Sequence, residues 1–261
     1  MTQKEIIAEI ETLAPKELAL EWDNIGLILG EENKEIDSVL LTLDINRQVV
    51  KEALEKKADL IITHHPPIVK PIRSLTTATA QGSMMIELLK NNISLYTCHT
   101  NLDICACGVN DTLFNLLELT DKKLLKEYEN GYSLGRLGRL NKACTLFEFT
   151  EFVKEKLAVD IIRYVGYENS EITTVALCGG AASSVDMFDI ASEKGADVYL
   201  TGDIRYHDAM YAKGLELNLI DASHYATEHY AMGDLKEYLE KSFPGVAFYV
   251  SQVDLQPFKG L

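Results

Sequence analysis

The chain reads as an α/β protein built as two similar halves with mixed sheets. Three observations predict that class. Apolar β-like runs alternate with helix-period segments from end to end, two strand phrases recur in the same order, and one of the recurring phrases ends each time in an imidazole and a carboxylate. KKADLIIT (56–63) is answered by KGADVYLT (194–201), so Asp59 and Asp197 open two versions of one strand. ISLYTCHTNLD (93–103) is answered by NLIDASHYATE (218–228), which pairs His99 with Asp103 and His224 with Glu228 at the same spacing.

The elements follow in order. MTQKEIIAEIETLAP places Ile6, Ile10 and Leu13 on one helical face. SVLLTLD (38–44) predicts a strand and NRQVVKEALEKKA (46–58) a helix. DLIIT (59–63) is a continuous apolar run, as expected of a strand covered by helices on both faces. GSMMIELLKNN (82–92) predicts a helix, SLYTC (94–98) a strand and GVNDTLFNLLELT (108–120) a helix. YSLGRLGRL (132–140) is glycine-rich with little helix signal, and the boundary between halves is set near it, at 1–127 and 128–261. FTEFVKEKLAV (149–159) reads as helix, IIRYVGY (161–167) and TTVALCG (173–179) as strands. SSVDMFDIASEKGA (183–196) is a helix with a serine N-cap and a glycine near its end. DVYLT (197–201), a helix around YHDAMYAKG (206–214), LNLIDAS (217–223), a long helix ATEHYAMGDLKEYLEKS (226–242) and a strand VAFYVSQ (246–252) complete the alternation. No Pro- or Ser-rich linker interrupts it, so the halves are expected to pack as one unit.

Composition narrows the function. A chain of 261 residues with 47% hydrophobic content suffices for a continuous core. A formal net charge of −15 argues against a surface that neutralises nucleic-acid phosphates or lies on anionic lipid. Cys98, Cys105, Cys107, Cys144 and Cys178 are odd in number and form no CxxC pair, which predicts reduced thiols rather than a disulfide framework or zinc ribbon. With no signal-like apolar stretch and no run approaching the roughly 20 residues that cross a bilayer, the expected setting is cytoplasmic.

The chemistry gathers at strand ends, where side chains from separate elements can converge in an α/β sheet. His64 and His65 follow one strand, His99 and Asp103 the next, and His224 and Glu228 their counterpart. Pro66 disfavours helical geometry at His65, so the doublet is expected to be extended with its rings pointing apart, each serving one of two ions across the strand end. Two cations about 3.5–4 Å apart, bridged by a carboxylate, form a two-metal hydrolytic centre. Taken singly, a histidine after a strand is more often structural than a ligand; the joint placement is what singles these out. In the second copy the place of the doublet is taken by Gly202 and Asp203, so the scaffold repeats while the chemistry diverges. Asp203 and His207 are candidates for orienting ligands, for a role in reaction, or for an ordinary helix start. His229 should point elsewhere and be exposed. The two repeats also differ in length: 40 residues separate Asp59 from His99, and 27 separate Asp197 from His224. The excess falls in PPIVKPIRSLTTATAQ (66–81), a long excursion of the functional kind.

EWDNIGL (21–27), THHPPI (63–68), HTNLD (99–103), TGDIRYHDA (201–209) and SHYATE (223–228), in this order, resemble the signature of the GTP cyclohydrolase 1 type 2 homologue family, also described as the factors that interact with the yeast NGG-one protein. The likeness spans nearly the whole chain. It implies two intertwined α/β halves with a metal site in the cleft between them and a hexameric, toroidal ring of dimers. Some longer members carry an extra domain inserted mid-chain, and this sequence, with only the glycine-rich junction there, is expected to have no inserted third domain. It also implies that His64, His65, Asp103, His224 and Glu228 hold two divalent ions of zinc, iron, manganese or nickel, with Glu228 bridging. The implied activity is the opening of the imidazole ring of GTP, giving formate and dihydroneopterin triphosphate. Ring opening needs proton transfers, for which His99 and His207 have suitable intrinsic pKa values. The triphosphate needs cations, and Lys70, Arg73, Arg136, Arg139 and Arg205 are candidates. The same ligands would serve a two-metal phosphoesterase, and a non-enzymatic metal-binding or protein-interaction role would also use the scaffold.

Overall fold

The computed structural model describes residues 1–128 and 131–259. The chain divides into two compact units: Met1–Cys105 together with Met232–Leu255, and Ala106–Ala231 together with the residues from Gln256 onward.

The first unit opens with α1 (Gln3–Leu13), whose N-terminus is closed by a reciprocal capping box between Thr2 and Glu5. As the helical spacing predicts, Ile6 and Ile10 are fully buried. Next come β1 (Gly26–Leu29), β2 (Ser38–Thr42), α2 (Arg47–Glu55), β3 (Leu60–Thr63), α3 (Ala80–Lys90), β4 (Ser94–Thr97) and the short α4 (Thr100–Ile104). Asn46 caps α2 by accepting from the backbone N–H of Gln48 and Val49.

The second unit contains α5 (Val109–Leu116), β5 (Thr120–Glu127), β6 (Ser133–Thr145), α6 (Leu146–Lys156), β7 (Arg163–Val165), β8 (Glu171–Leu177), α7 (Val185–Glu193), β9 (Val198–Thr201), α8 (Tyr206–Gly214), β10 (Asn218–Asp221) and α9 (His224–Glu228). Ser184 caps α7 by accepting from the N–H of Met187, as expected. The chain then returns to the first unit through α10 (Ala231–Ser242) and β11 (Ala247–Val250).

Both sheets are mixed. The first has the order β1-β4-β3-β2-β11, parallel except for β1, which runs antiparallel to β4. The second has the order β5-β6-β8-β9-β10-β7; β8, β9 and β10 are parallel, and the remaining pairs are antiparallel. In the second unit, alternation along the strands feeds two cores. Ile172, Val175, Leu177, Val198, Leu200 and Ile220 pack on one face, while Ala176, Tyr199 and Leu219 pack on the other. Burying an aliphatic side chain of this kind contributes about 1.5–3 kcal/mol.

Three expectations are corrected. The helix expected over 108–120 stops at Leu116, and the following residues form β5, whose polar sequence TDKKLLKE is mostly exposed and so lacks an apolar strand signal. The proposed division at 127/128 therefore falls beside the β5–β6 pair inside the second unit, and the last helix and strand belong to the first. The long helix expected over 226–242 is two helices, α9 (His224–Glu228) and α10 (Ala231–Ser242).

The duplication is visible in hydrogen bonds. Asp59 Oδ2 accepts from the N–H of Asp37 (2.9 Å) and Ser38 (3.1 Å) at the start of β2. Asp197 Oδ2 accepts from Thr173 (2.9 Å) and Thr174 (2.7 Å) in β8. In each unit an aspartate just before the second strand of the repeat ties down the first.

Candidate metal centre

In the first unit β3 ends at Thr63, and the next two residues stay tied to the segment after β2. The N–H of His64 donates to the Thr42 carbonyl (3.1 Å) and that of His65 to the Leu43 carbonyl (2.9 Å), and both residues lie in a bend rather than in the extended geometry expected before Pro66. The two rings are tied to opposite neighbours. His64 Nδ1 lies 3.0 Å from the Cys98 carbonyl beyond β4, and His65 Nδ1 lies 2.9 Å from Asp44 Oδ1 beyond β2. The rings nevertheless stay close, with centroids 5.0 Å apart, nearer than strand alternation alone suggests. His99 completes the group: its centroid is 5.1 Å from that of His64 and 5.4 Å from that of His65. One nitrogen from each of the three rings fits within a 4.8 Å span, a spacing that can hold a metal ion. Asp103, on α4, brings Oδ1 to 3.5 Å from His64 Nε2.

His99 is fixed by Asp23. Its Nδ1 sits 2.9 Å from Asp23 Oδ1, and Asp23 Oδ2 accepts from the N–H (3.0 Å) and the hydroxyl (2.5 Å) of Thr100. Burial alone would raise the Asp23 pKa, but the hydrogen bonds from His99 and Thr100 outweigh it and hold the carboxyl down at about 2.

In the second unit the strand end is rebuilt. Gly202 occupies the place of His64, and a Cβ there would meet the backbone N of His224 at 2.6 Å. The loop carrying His224 passes too close for any side chain, so this strand end has no room for a counterpart of His64. His224 Nδ1 lies 2.7 Å from Asp203 Oδ2, and its Nε2 lies 3.1 Å from Glu228 Oε2. Gly180 (φ +69°) makes the matching space for the acid: a Cβ there would stand 2.0 Å from Glu228 Oε1. Glu228 is buried.

The two His-x-x-x-acid phrases enter their helices differently. His99 is the N-cap of α4, whereas His224 is the first residue of α9, behind the N-cap Ser223. Asp103 thus sits one residue inside the end of its helix and Glu228 at the last position of its own.

Four imidazoles, His64, His65, His99 and His224, share one chemistry. Each has Nδ1 against a carbonyl or carboxylate oxygen. An oxygen at Nδ1 orients each ring, and Nε2 of two of them is set against a carboxylate, that of His224 3.1 Å from Glu228 Oε2 and that of His64 3.5 Å from Asp103 Oδ1. Buried carboxylates of Asp103 and Glu228 add oxygen donors. Imidazole together with carboxylate, present in each unit, is the donor chemistry that fits borderline divalent ions. The partners Asp23 and Asp44 were missed from the sequence, although each lies in a phrase already singled out, EWDNIGL and SVLLTLD. Asp203 does what one of its alternatives allowed, orienting a histidine.

The chain matches the family described as Duf34/NIF3 (NGG1p interacting factor 3) over residues 1–257. It belongs to that family. A relative named GTP cyclohydrolase 1 type 2 homolog in Clostridium perfringens is 36% identical over 99% of both chains. One of the same name in Methanocaldococcus jannaschii is 39% identical over 93% of this chain and 96% of its own. The crystal structure of a Bacillus cereus protein related to NIF3 superposes with a TM-score of 0.94 at 27% identity, covering 100% of this chain and 99% of the other.

Other predicted residues are placed as follows. His207 is exposed in the first turn of α8, edge-on to Tyr206 at 5.3 Å between centroids. His229, expected to be exposed, is half-buried and stacked on Tyr225 at 4.5 Å, and burial lowers its pKa. Arg136 is corrected as a phosphate candidate: it is buried, and its guanidinium grips Asp111 at 2.8 and 3.2 Å. Arg205 pairs with Asp208 at 2.7 Å, while Lys70, Arg73 and Arg139 are exposed. The cysteines are free thiols; Cys98, Cys105 and Cys178 are buried, and burial pushes the Cys98 thiol up. Among the described residues no helix is long and apolar enough to cross a membrane.

Proposed function

We propose that this chain is a dinuclear-metal hydrolase that opens the imidazole ring of GTP, releasing formate and giving dihydroneopterin triphosphate. The observation that carries this reading is the convergence of one nitrogen from each of His64, His65 and His99 within 4.8 Å, with Asp103 Oδ1 beside His64. The name borne by the relatives supports the choice of reaction. His64, His65, Asp103, His224 and Glu228 would hold two divalent ions of zinc, iron, manganese or nickel, with Glu228 shared. When bound, such ions supply activated water and neutralise developing negative charge.

The chain's own residues do the rest. Asp44, the Cys98 carbonyl and Asp203 brace the rings of His65, His64 and His224 at Nδ1. Asp23 fixes His99, whose ring stands beside the histidine doublet and is suited to move a proton during ring opening. His207 is the second acid/base candidate. Lys70 and Arg73, exposed on the excursion after the doublet, are positioned in sequence to meet a triphosphate. By resemblance, the working form is a hexameric ring of this chain in the cytoplasm.

The test is direct. Purified protein is loaded with each metal, its metal content per chain is measured by elemental analysis, and it is incubated with GTP while formate and phosphate are followed. Formate with about two metals per chain is the expected result. Phosphate without formate would make it a phosphoesterase, and neither product would leave a binding role.

A further inference from the structure

We infer that Trp22 is a stacking platform that seats a planar heteroaromatic ring beside the imidazole cluster. This deepens the proposed function and rests on it for the identity of the ring, a purine.

Trp22 is the only tryptophan in the chain and is 58% exposed. Leaving so large an apolar side chain in water forgoes one of the biggest gains a residue can give to a core. The surrounding backbone is nevertheless pinned. Just before it, the N–H of Leu20 donates to the Thr100 hydroxyl at 3.0 Å. Just after it, Asp23 is locked to His99 and Thr100, its own N–H donates to the Leu20 carbonyl at 2.9 Å, and the Asn24 amide donates to the Ile68 carbonyl at 2.5 Å. The indole itself meets the His99 ring edge-on, at 5.8 Å between centroids and 74° between planes. His99 in turn borders His64 and His65. A rigidly mounted, half-open indole thus stands one ring away from the candidate metal ligands, within the same unit.

The Asn24 contact adds a second function to the segment. It anchors Ile68 at the root of the excursion that carries Lys70 and Arg73. One short stretch therefore mounts the indole, orients His99 through Asp23 and holds the base of a cationic loop. A ligand with a flat ring and an anionic tail matches that combination, since stacking on an aromatic side chain tolerates any base.

The experiment uses the lone indole as its own probe, with the metal-loaded full chain. Guanosine and GTP are expected to quench Trp22 emission saturably, whereas inorganic tripolyphosphate, which lacks the ring, leaves it unchanged. Trp22→Leu is expected to weaken guanosine binding about tenfold by calorimetry, with Trp22→Phe restoring part of it and both variants keeping full metal content. Trp22→Leu is further expected to raise KM for GTP far more than it lowers kcat. Unchanged guanosine affinity in Trp22→Leu would overturn the platform even if GTP is still opened. Quenching by guanosine without formate would keep the platform and remove the assigned reaction. An emission shift that follows protein concentration rather than nucleoside would mean a second copy of the chain covers the indole, and would also overturn it.

Discussion

The two units hold the same parallel core, β2-β3-β4 in one and β8-β9-β10 in the other, and differ at the tip of the middle strand. In the first, β3 runs directly into two histidines whose rings are braced against the neighbouring strand ends. In the second, β9 runs into Gly202 and Asp203, and the imidazole is delivered from α9. The aspartate that starts each middle strand is unchanged in role, so the difference lies in what occupies the strand tip. A repeated scaffold keeps its hydrogen-bonded frame because that frame folds it, while the tip is free to exchange ligand for space.

The largest expected effect comes from removing the first tip. His64→Ala is expected to lose bound metal, by elemental analysis, and to abolish formate release; full activity in that variant would assign the activity to a contaminant. The glycines of the second tip follow. Gly202→Ala presses a Cβ against the His224 backbone and Gly180→Ala presses one against Glu228, each costing about 1–3 kcal/mol in chemical denaturation together with weakened metal binding. Alanine at Gly195, where nothing lies within 4 Å of the added carbon but φ is also positive (+74°), separates backbone strain from crowding.

The braces sharpen the comparison further. Asp44→Asn and Asp203→Asn, one per unit, are each expected to lower metal affinity about 10–100-fold with little change in unfolding free energy. The frame should behave identically in both units: Asp59→Ala and Asp197→Ala each leave two strand N–H groups without their carboxylate, for a matched loss of about 1–3 kcal/mol. Unequal losses would break the equivalence.

The last effect is titrational and concerns Asp23 in the first unit. Asp23 titrates at about 2 in the folded chain, below the usual carboxylate value of about 3.9. Its contribution is thus present above about pH 4 and lost as pH falls toward 2. Denaturation curves across that window should show a slope that Asp23→Asn removes.

Much of this was legible in the sequence because strand tips carry short, distinctive phrases. The paired phrases around Asp59 and Asp197 located both parallel cores, and the histidine doublet before Pro66 located the first tip. The antiparallel additions were harder to read. β5 lies at an edge with most side chains in water, so no apolar pattern marks it. The one-residue offset between His99 and His224 was also hidden, since it follows from which residue caps each helix and not from spacing. The Asp111–Arg136 pair was invisible because 25 residues separate its partners and either could have been an ordinary surface charge.

The return of the chain to its first unit has a bearing on biosynthesis. β11 supplies the edge that pairs with β2 in parallel, from Ala247↔Ser38 to Val250↔Leu41. The ribosome must therefore deliver residues 247–250 before the earlier sheet can close. The sheet of the second unit, contained within 120–221, has all its strands well before then. The half made first is finished last, and a nascent chain halted near residue 240 would carry an open strand edge waiting for its partner.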